Sequence, residues 1–334
     1  MRFKSKLFQR NLSKIILAFV VLLILCLDFF DGSSNILNQE GVDVIEEVLD
    51  LIHQSAQFNQ YGNQSVTEIY SHGFSNLPSS ICKGDELSPK LLIIITSAPE
   101  NFELRKAIRY SWGGVGRYDQ VQFAFIMGNS RFVPESKIID ESLKYDDIIR
   151  GKFIDNDENS ALKTISMLEW VSSNCPNAKF ILKIDDQTFV NVDKLLQIID
   201  GKLLDKKSIY GRMAESLVPV RSKKSKFYVS HDEYYGQSYP KFITGPAYMM
   251  TIDCVRLIYD AALDAKYFRL EDVFITGIIA NLVGIKRINT EEFKKSDPEL
   301  ITKCELKDIV SVNGVTVDQH YDFWYVLNNE LYNC

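Results

Sequence analysis

The sequence lacks several features that would assign it to a common class of protein. No two of its cysteines are spaced C-x-x-C, so a structural zinc ribbon is unsupported. It has no internal repeat and no low-complexity tract. A basic surplus is also missing, because 38 lysines and arginines face 44 aspartates and glutamates, and the basic residues are scattered downstream of the N-terminus. Nucleic-acid binding is therefore excluded as an interpretation.

The N-terminus carries the pattern of a membrane signal. Residues 1–14 hold five basic residues and no acidic ones, and an unbroken apolar run then extends from Ile15 to Leu27. No small residues typical of a cleavage site follow this run, which favours an uncleaved transmembrane signal anchor over residues 15–30. Residues 1–14 are then a cytoplasmic tail, and the rest of the chain is lumenal. A cleaved signal on a secreted carbohydrate-binding module is the less favoured alternative.

A lumenal location predicts oxidised cysteines and glycosylation. Asn63 begins an Asn-Gln-Ser acceptor sequence for N-glycosylation. The number of cysteines after the anchor is odd, so one either stays free or links two chains into a disulfide-bonded homodimer. These cysteines are Cys82, Cys175, Cys254, Cys304 and Cys334.

The lumenal part changes character near residue 90. Residues 31–89 are polar and mixed, and we interpret them as a stem, although residues 42–53 are equally well explained as a helix packed on the main domain. Across residues 90–334, short apolar runs alternate with helical patterns, which predicts an α/β domain with a mostly parallel sheet and helices on both faces. Buried strands are predicted at Leu91–Thr96, Val121–Met127 and Lys179–Ile184. A helix with one apolar face is predicted around Leu162–Val171.

Asp185 and Asp186 follow the third predicted strand directly. Ligands of open α/β sheets bind at the carboxyl ends of strands. Adjacent carboxylates suit a hard divalent ion such as manganese or magnesium, and such an ion neutralises a departing pyrophosphate. Taken alone, the pair is equally well explained as a solvated acidic turn.

A second acidic pair, Glu271 and Asp272, opens a stretch in which Ile278, Ile279 and Leu282 are predicted to form a buried helix face. Acids at the first turn of a helix are usually caps that complement the helix dipole. The functional interpretation makes Asp272 a general base that accepts the proton of an acceptor hydroxyl, with Glu271 as the competing candidate.

Several segments between residues 90 and 330 resemble, in order, the inverting beta-1,3-glycosyltransferase family that contains the beta-1,3-galactosyltransferases. The resemblance is carried by Arg105-Lys-Ala-Ile-Arg-Tyr-Ser-Trp112, by the acidic strand end, by Tyr239-Pro240 and by Glu271-Asp272-Val273. It implies a GT-A (Rossmann-like) fold and a UDP-galactose or UDP-N-acetylhexosamine donor. It also implies manganese dependence, a glycan acceptor on a glycoprotein or glycolipid, and a single-pass type II position in the Golgi membrane.

The resemblance further implies donor-binding roles. Arg105, Arg109 and Trp112 are expected around the uridine and its phosphates, since the guanidinium fork matches phosphate oxygens. Asp155 and Lys163 are expected to line the donor pocket. Structural roles remain open, because Trp112 could be a core aromatic and the two arginines could form a solvated helix face.

The metal-binding part of the resemblance is incomplete. Asp185, Asp186 and Gln187 occupy the positions of the expected manganese ligands, with Asp185 also reaching the donor. The family usually has a third aspartate where Gln187 stands, and a histidine ligand where Asn313 stands. Two neutral amides should weaken the site, and a lone His320 is more often a hydrogen-bonded residue than a ligand. These departures support a second hypothesis, a catalytically impaired glycosyltransferase-like protein that binds glycans or partners, but catalysis is favoured because the proposed base is retained.

Overall fold

The computed structural model describes residues 64–82, 88–114, 118, 120–201, 204–294 and 297–329. The predicted cytoplasmic tail and signal anchor, the stretch 42–53, Asn63 and Cys334 all lie outside these ranges. Within them, every helix is too short or too polar to cross a membrane.

An eight-stranded sheet forms the centre of the domain, in the order β1-β4-β3-β2-β5-β8-β7-β9, and β10, β11 and β6 form a second, three-stranded sheet. Strands β4, β3, β2 and β5 run parallel to one another, whereas β8 pairs antiparallel with β5 and β7. This confirms the predicted large, mostly parallel sheet in an α/β fold. The strands are β1 Phe74–Asn76, β2 Leu91–Thr96, β3 Val121–Asn129, β4 Ile148–Ile154, β5 Phe180–Asp185, β6 Thr188–Val190, β7 Ser208–Met213, β8 Ile243–Thr251, β9 Lys286–Asn289, β10 Phe293–Lys294 and β11 Ser311–Asn313.

Helices cover both faces of the large sheet. Because successive residues of a strand point to opposite faces, Leu92 and Ile94 of β2 pack into one hydrophobic core and Leu91 and Ile93 into another. The α-helices are α1 Val66–Ile69, α2 Phe102–Tyr110, α3 Glu135–Tyr145, α4 Ser160–Asn174, α5 Val192–Gly201, α6 Ile252–Leu263, α7 Ala280–Leu282, α8 Lys303–Asp308 and α9 Val317–Asn328. The first core contains residues of α4 and α6, and the second contains residues of α2, α3, α5 and α9.

The helix predicted around Leu162–Val171 is α4. Its predicted apolar positions are all buried, and it ends at Asn174, two residues before Pro176, which cannot continue a helix. The prediction for residues 278–282 is only partly correct. Ile278 and Ile279 are buried, but Leu282 is 42% exposed because Val273–Ile279 is a π-helix, whose wider turns move the following residues off the expected face.

The predicted stem boundary at residue 89 is too late. Val66 is fully buried in the first core, and β1 pairs with β4 at the edge of the large sheet. Pairing covers the backbone groups that an edge strand otherwise leaves open. Residues 64–82 therefore belong to the folded domain, a contribution that their polar composition conceals.

The cysteines of the described residues differ in state. Cys82 and Cys175 form a disulfide that ties the segment before β2 to the end of α4. Cys304 is also disulfide-bonded. Cys254 is a buried free thiol, and burial raises its pKa to about 11. A thiol in this position is not accessible to a second chain, so Cys254 gives no support to the predicted disulfide-linked homodimer.

Candidate active site

Asp185 ends β5, between the carboxyl end of β2 and the antiparallel strand β8. Its Oδ1 accepts hydrogen bonds from Thr96 Oγ1 at 2.7 Å and from Lys183 Nζ at 2.8 Å. The side chain is still 43% exposed. Asp185 thus keeps an exposed side at the carboxyl end of its strand, and its role in binding a ligand there stays a prediction.

Asp186 points the other way, into the protein. Its Oδ2 accepts hydrogen bonds from Ser97 Oγ at 2.7 Å and from Asn101 Nδ2 at 2.8 Å. Burial raises its pKa above the usual range, although these two hydrogen bonds oppose the effect. Asp186 therefore fastens the loop after β2 instead of facing a ligand.

Lys183 links the two acidic pairs. It is buried, and its Nζ lies 2.8 Å from Asp185 Oδ1 and 3.5 Å from Glu271 Oε2, and donates to Gly245 O at 2.9 Å. Burial opposes its charge, but Asp185 and Glu271 outweigh this and raise its pKa. Asp185, Asp186, Lys183, Glu271 and Asp272 are called the acid cluster below.

Glu271 has little capacity left for a ligand. It is buried, and its Oε1 accepts hydrogen bonds from Tyr248 OH at 2.6 Å and from Thr164 Oγ1 at 3.0 Å, while Lys183 lies beside its other oxygen. These contacts tie together β8, α4 and the start of the π-helix. Its role as the competing base is therefore disfavoured.

Asp272 is only partly buried and immediately precedes the π-helix. Its carboxylate accepts hydrogen bonds from the backbone N–H of Val273 at 2.9 Å and of Gly245 at 3.2 Å. A side chain at position 245 would come within 3.3 Å of Asp272 Cβ, so glycine permits this close approach of β8. Burial, followed by the charge of Glu271, raises the pKa of Asp272 to about 6. A carboxyl group with this pKa is suited to accepting a proton near neutral pH.

The residues predicted to bind manganese do not fit a tight site. Gln187 is exposed, and Asn313 Oδ1 already accepts a hydrogen bond from Thr188 Oγ1 at 3.1 Å. Asp186 is turned inward, which leaves Asp185 as the one carboxylate that faces out, and Lys183 is paired with it. Among the described residues, no group of three or more acidic, histidine or cysteine side chains is arranged to hold a metal ion. The predicted ligand set Asp185, Asp186 and Gln187 is thus not assembled as a metal site.

Arg105 is not placed to bind phosphate, contrary to the sequence prediction. It is fully buried, and all five of its N–H donors are engaged. Two donate to Glu141 at 2.9 and 2.7 Å, and three donate to Ser97 Oγ, Ala98 O and Pro99 O at 2.6 to 3.1 Å. Arg105 therefore stabilises the loop after β2, which in turn holds Asp186.

Arg109 belongs to the same network. It donates a fork of hydrogen bonds to Asp147 at 2.7 and 2.8 Å and a third to Glu141 at 2.7 Å. The guanidinium lies between the rings of Phe125 and Tyr145, at 4.7 and 4.0 Å from their centroids. Burial opposes its charge, but the two carboxylates outweigh this and raise its pKa. Arg105, Arg109, Glu141 and Asp147 are called the arginine cluster below, and the predicted contact of Arg109 with phosphate is likewise unsupported.

Trp112 is a core residue, as the structural alternative held. It is buried, and its Nε1 donates to His320 Nδ1 at 3.2 Å. His320 is itself buried, with Nε2 at 3.1 Å from the carbonyl oxygen of Asp186. Burial lowers the pKa of His320 to about 4, which keeps the imidazole neutral near pH 7. Because both ring nitrogens are engaged, His320 is not arranged to bind a metal.

Asp155 and Lys163 lie together at the same end of the sheet. Lys163 Nζ is 2.7 Å from Asp155 Oδ1 and donates to Ser97 O at 3.0 Å. The other carboxylate oxygen of Asp155 accepts from the backbone N–H of Gly128 at 2.7 Å. The pair therefore joins the ends of β3 and β4 to the loop after β2, where their donor-lining role stays a prediction.

Lys183 is the site residue that the sequence interpretation missed. A signal was present, since Lys183 interrupts an otherwise apolar strand, and a buried lysine needs a charged partner. The identity of the distant partner, Glu271, depends on the tertiary fold.

Comparisons with known proteins show which family the sequence resembles. A family model described as Galactosyltransferase matches residues 103–291. Beta-1,3-galactosyltransferase 5 of Pan paniscus is 29% identical over 275 residues, which cover 81% of this chain and 91% of that protein. Beta-1,3-galactosyltransferase 1 of Mus musculus is 28% identical over 268 residues, covering 79% and 82%. A solved apo structure of the bifunctional glycosyltransferase WbbM is only distantly similar, with a TM-score of 0.38 and 10% identity over 78% of this chain and 52% of that one.

Proposed function

Since the chain belongs to the galactosyltransferase family and is a glycosyltransferase, we propose that it is an inverting enzyme with a UDP-sugar donor. It transfers galactose or N-acetylhexosamine to an acceptor glycan hydroxyl, forming a beta-1,3 linkage. The names of the relatives support galactose and this linkage, because both are beta-1,3-galactosyltransferases.

One observation carries the proposal. The acidic strand end and the pair Glu271-Asp272 are separated by more than eighty residues in the sequence, yet Lys183 contacts Asp185 and Glu271 together. A donor-side carboxylate and a candidate base therefore converge at one edge of the sheet, as a displacement between two bound substrates requires.

In the proposed reaction, Asp272 accepts the proton of the acceptor hydroxyl. The acceptor oxygen forms its bond to the anomeric carbon while the bond from that carbon to the diphosphate oxygen of UDP breaks on the opposite face, which inverts the configuration. The backbone N–H groups of Val273 and Gly245 hold the carboxylate of Asp272 in place, so little reorganisation precedes proton transfer.

On the donor side, the exposed face of Asp185 and the pair Asp155–Lys163 are proposed to line the UDP-sugar site. Arg105 acts there only indirectly, because its hydrogen bonds fix the loop after β2, and Arg109 shares with it the partner Glu141. We further propose a Golgi enzyme of single-pass type II topology that acts on glycoproteins or glycolipids. This part depends on the N-terminal pattern of residues 1–30 and on the resemblance.

The test is incubation of the full-length chain, purified in detergent, with a panel of UDP-sugars and acceptor glycans, with and without manganese. Transfer from UDP-galactose or a UDP-N-acetylhexosamine, with a beta-1,3 product identified by NMR, is the expected result. UDP-sugar or glycan binding without transfer to any acceptor would instead favour the non-catalytic binding protein, which the neutral Gln187 and Asn313 suggest.

A further inference from the structure

A buried hydrogen-bonded chain lies directly beneath the acidic turn. His320, on α9, has no solvent-exposed surface, and its two ring nitrogens contact Trp112 Nε1 at 3.2 Å and Asp186 O at 3.1 Å. The proposed reaction uses neither His320 nor Trp112.

The chemistry of the two partners determines the state of the ring. An indole N–H only donates, so Nδ1 of His320 must accept and carries no proton. The proton of the neutral ring is then on Nε2, which donates to the carbonyl of Asp186. Trp112 thereby selects the tautomer that binds the turn.

The turn is fixed at two consecutive carbonyl groups. The carbonyl of Asp186 accepts from His320, and that of Gln187 accepts from the backbone N–H groups of Gly314 and Val315 at 2.8 and 3.0 Å. Gly314 has a φ of +83°, a conformation that favours glycine, at the point where the backbone meets the turn. With both carbonyls held from beneath, Asp186 points inward and the flanking Asp185 and Gln187 remain exposed to a ligand.

We propose that His320 is a positioning residue of the donor site: its hydrogen bond to the Asp186 carbonyl fixes the turn that presents Asp185 and Gln187 to the UDP-sugar. This inference rests on the proposed function.

Packing alone does not account for His320. Its ring lies near Phe189 and Trp112, with centroids 6.3 and 6.5 Å away, and an apolar side chain would fill this space equally well. Such a side chain would leave a buried carbonyl and a buried indole N–H unpaired, and both would be costly. The polar ring is therefore needed for the turn.

The test compares His320→Met, which keeps a similar volume without a donor, with His320→Gln, which keeps an N–H for the carbonyl. UDP affinity of the full-length chain is measured by calorimetry, with and without manganese, and thermal unfolding is followed in parallel. His320→Met is expected to bind UDP about fivefold to fiftyfold more weakly, while His320→Gln stays within about threefold of the wild type. In transfer assays the KM for the donor should rise and the KM for the acceptor should not change.

A purely structural role would lower the folded fraction and leave the UDP affinity of the folded protein unchanged, and that result would overturn the inference. Equal weakening in His320→Gln and His320→Met would also overturn it. If His320→Met does not fold, Trp112→Phe decides, since loss of the indole N–H should weaken UDP binding in the same direction, and unchanged binding would count against the inference. Absence of UDP binding by the wild type would overturn the proposed function first, and this inference with it.

Discussion

The arginine cluster and the acid cluster lie on either side of the loop after β2 and contrast in charge. In the arginine cluster, two guanidinium groups face two carboxylates, and every donor of Arg105 is used. In the acid cluster, one ammonium group, that of Lys183, lies among four carboxyl groups. Balanced charge with complete hydrogen bonding is typical of a structural network, whereas the acid cluster has an excess of acid and a carboxyl group whose pKa is raised to about 6.

The contrast indicates that burial and charge alone do not identify a functional site. Both clusters are largely buried and both contain residues that the resemblance assigned to the donor site. They differ in that folding disfavours the charged form of one group in the acid cluster, the carboxylate of Asp272. Catalytic sites commonly tolerate such a destabilised group.

The largest expected effect follows from removal of the proposed base. Asp272→Asn should lower kcat by about 10² to 10⁴, because the amide cannot accept the proton while its shape is retained. Transfer rates and UDP affinity are measured together, and UDP affinity should change little. Asp260→Asn, which alters an exposed acid of α6 paired with Arg256, is the matched control and should be fully active. Full activity of Asp272→Asn would exclude Asp272 as the base and return Glu271 to that role.

Substitutions in the arginine cluster should lower the stability of the fold. Arg105→Met leaves the buried Glu141 with one arginine partner and removes three hydrogen bonds to oxygens of the loop, so unfolding by urea should be easier by about 3–5 kcal/mol. Lys106→Met on the same helix is the control, because its ion pair with Glu103 is exposed and is worth about 0–1 kcal/mol. Similar losses in both variants would contradict the structural role of Arg105.

In the acid cluster, a substitution should raise the free energy of unfolding instead of lowering it. The pKa of Asp272 in the fold, about 6, lies above its ordinary value of 3.8, so the fold favours the protonated form. The associated stability is fully present below about pH 4 and is lost as the pH rises through about 6, by at most about 3 kcal/mol. The stability of Asp272→Asn relative to the wild type should therefore rise between about pH 4 and about pH 7. A difference that does not vary over this range would show that the carboxyl group is not destabilised by folding.

The pH dependence of transfer follows from the same group. Because the base must be deprotonated, kcat should rise with pH through about 6 and level off above about 7. The residual rate of Asp272→Asn should lack this rise, and a profile identical to that of the wild type would assign the titration to another group.

The sequence predicted those parts of the molecule that depend on local pattern. Strand β2 was predicted with its observed bounds, and the acidic pair was correctly placed at the end of β5, because buried strands leave continuous apolar runs. The sequence did not reveal which charges are balanced. Arg105 and Glu141 are 36 residues apart, and a solvated helix face and a buried ion pair give the same spacing on α2. The π-helix after Asp272 and the inward turn of Asp186 are likewise set by tertiary contacts.

The smallest expected effect concerns the exposed end of the acid cluster. Gln187→Asp adds a carboxylate next to Asp185, at a position where the side chain faces solvent, so manganese-dependent UDP binding should strengthen by about threefold to tenfold. Gln187→Glu is the control, because it adds the same charge on a side chain that is longer than that of aspartate. Calorimetry is carried out with manganese and with a chelator. An affinity gain that persists in the chelator would show that the added charge acts without a metal ion. Unchanged UDP affinity in the presence of manganese would show that position 187 does not face the ion. The acid cluster would then resemble the arginine cluster in offering no site for a cation.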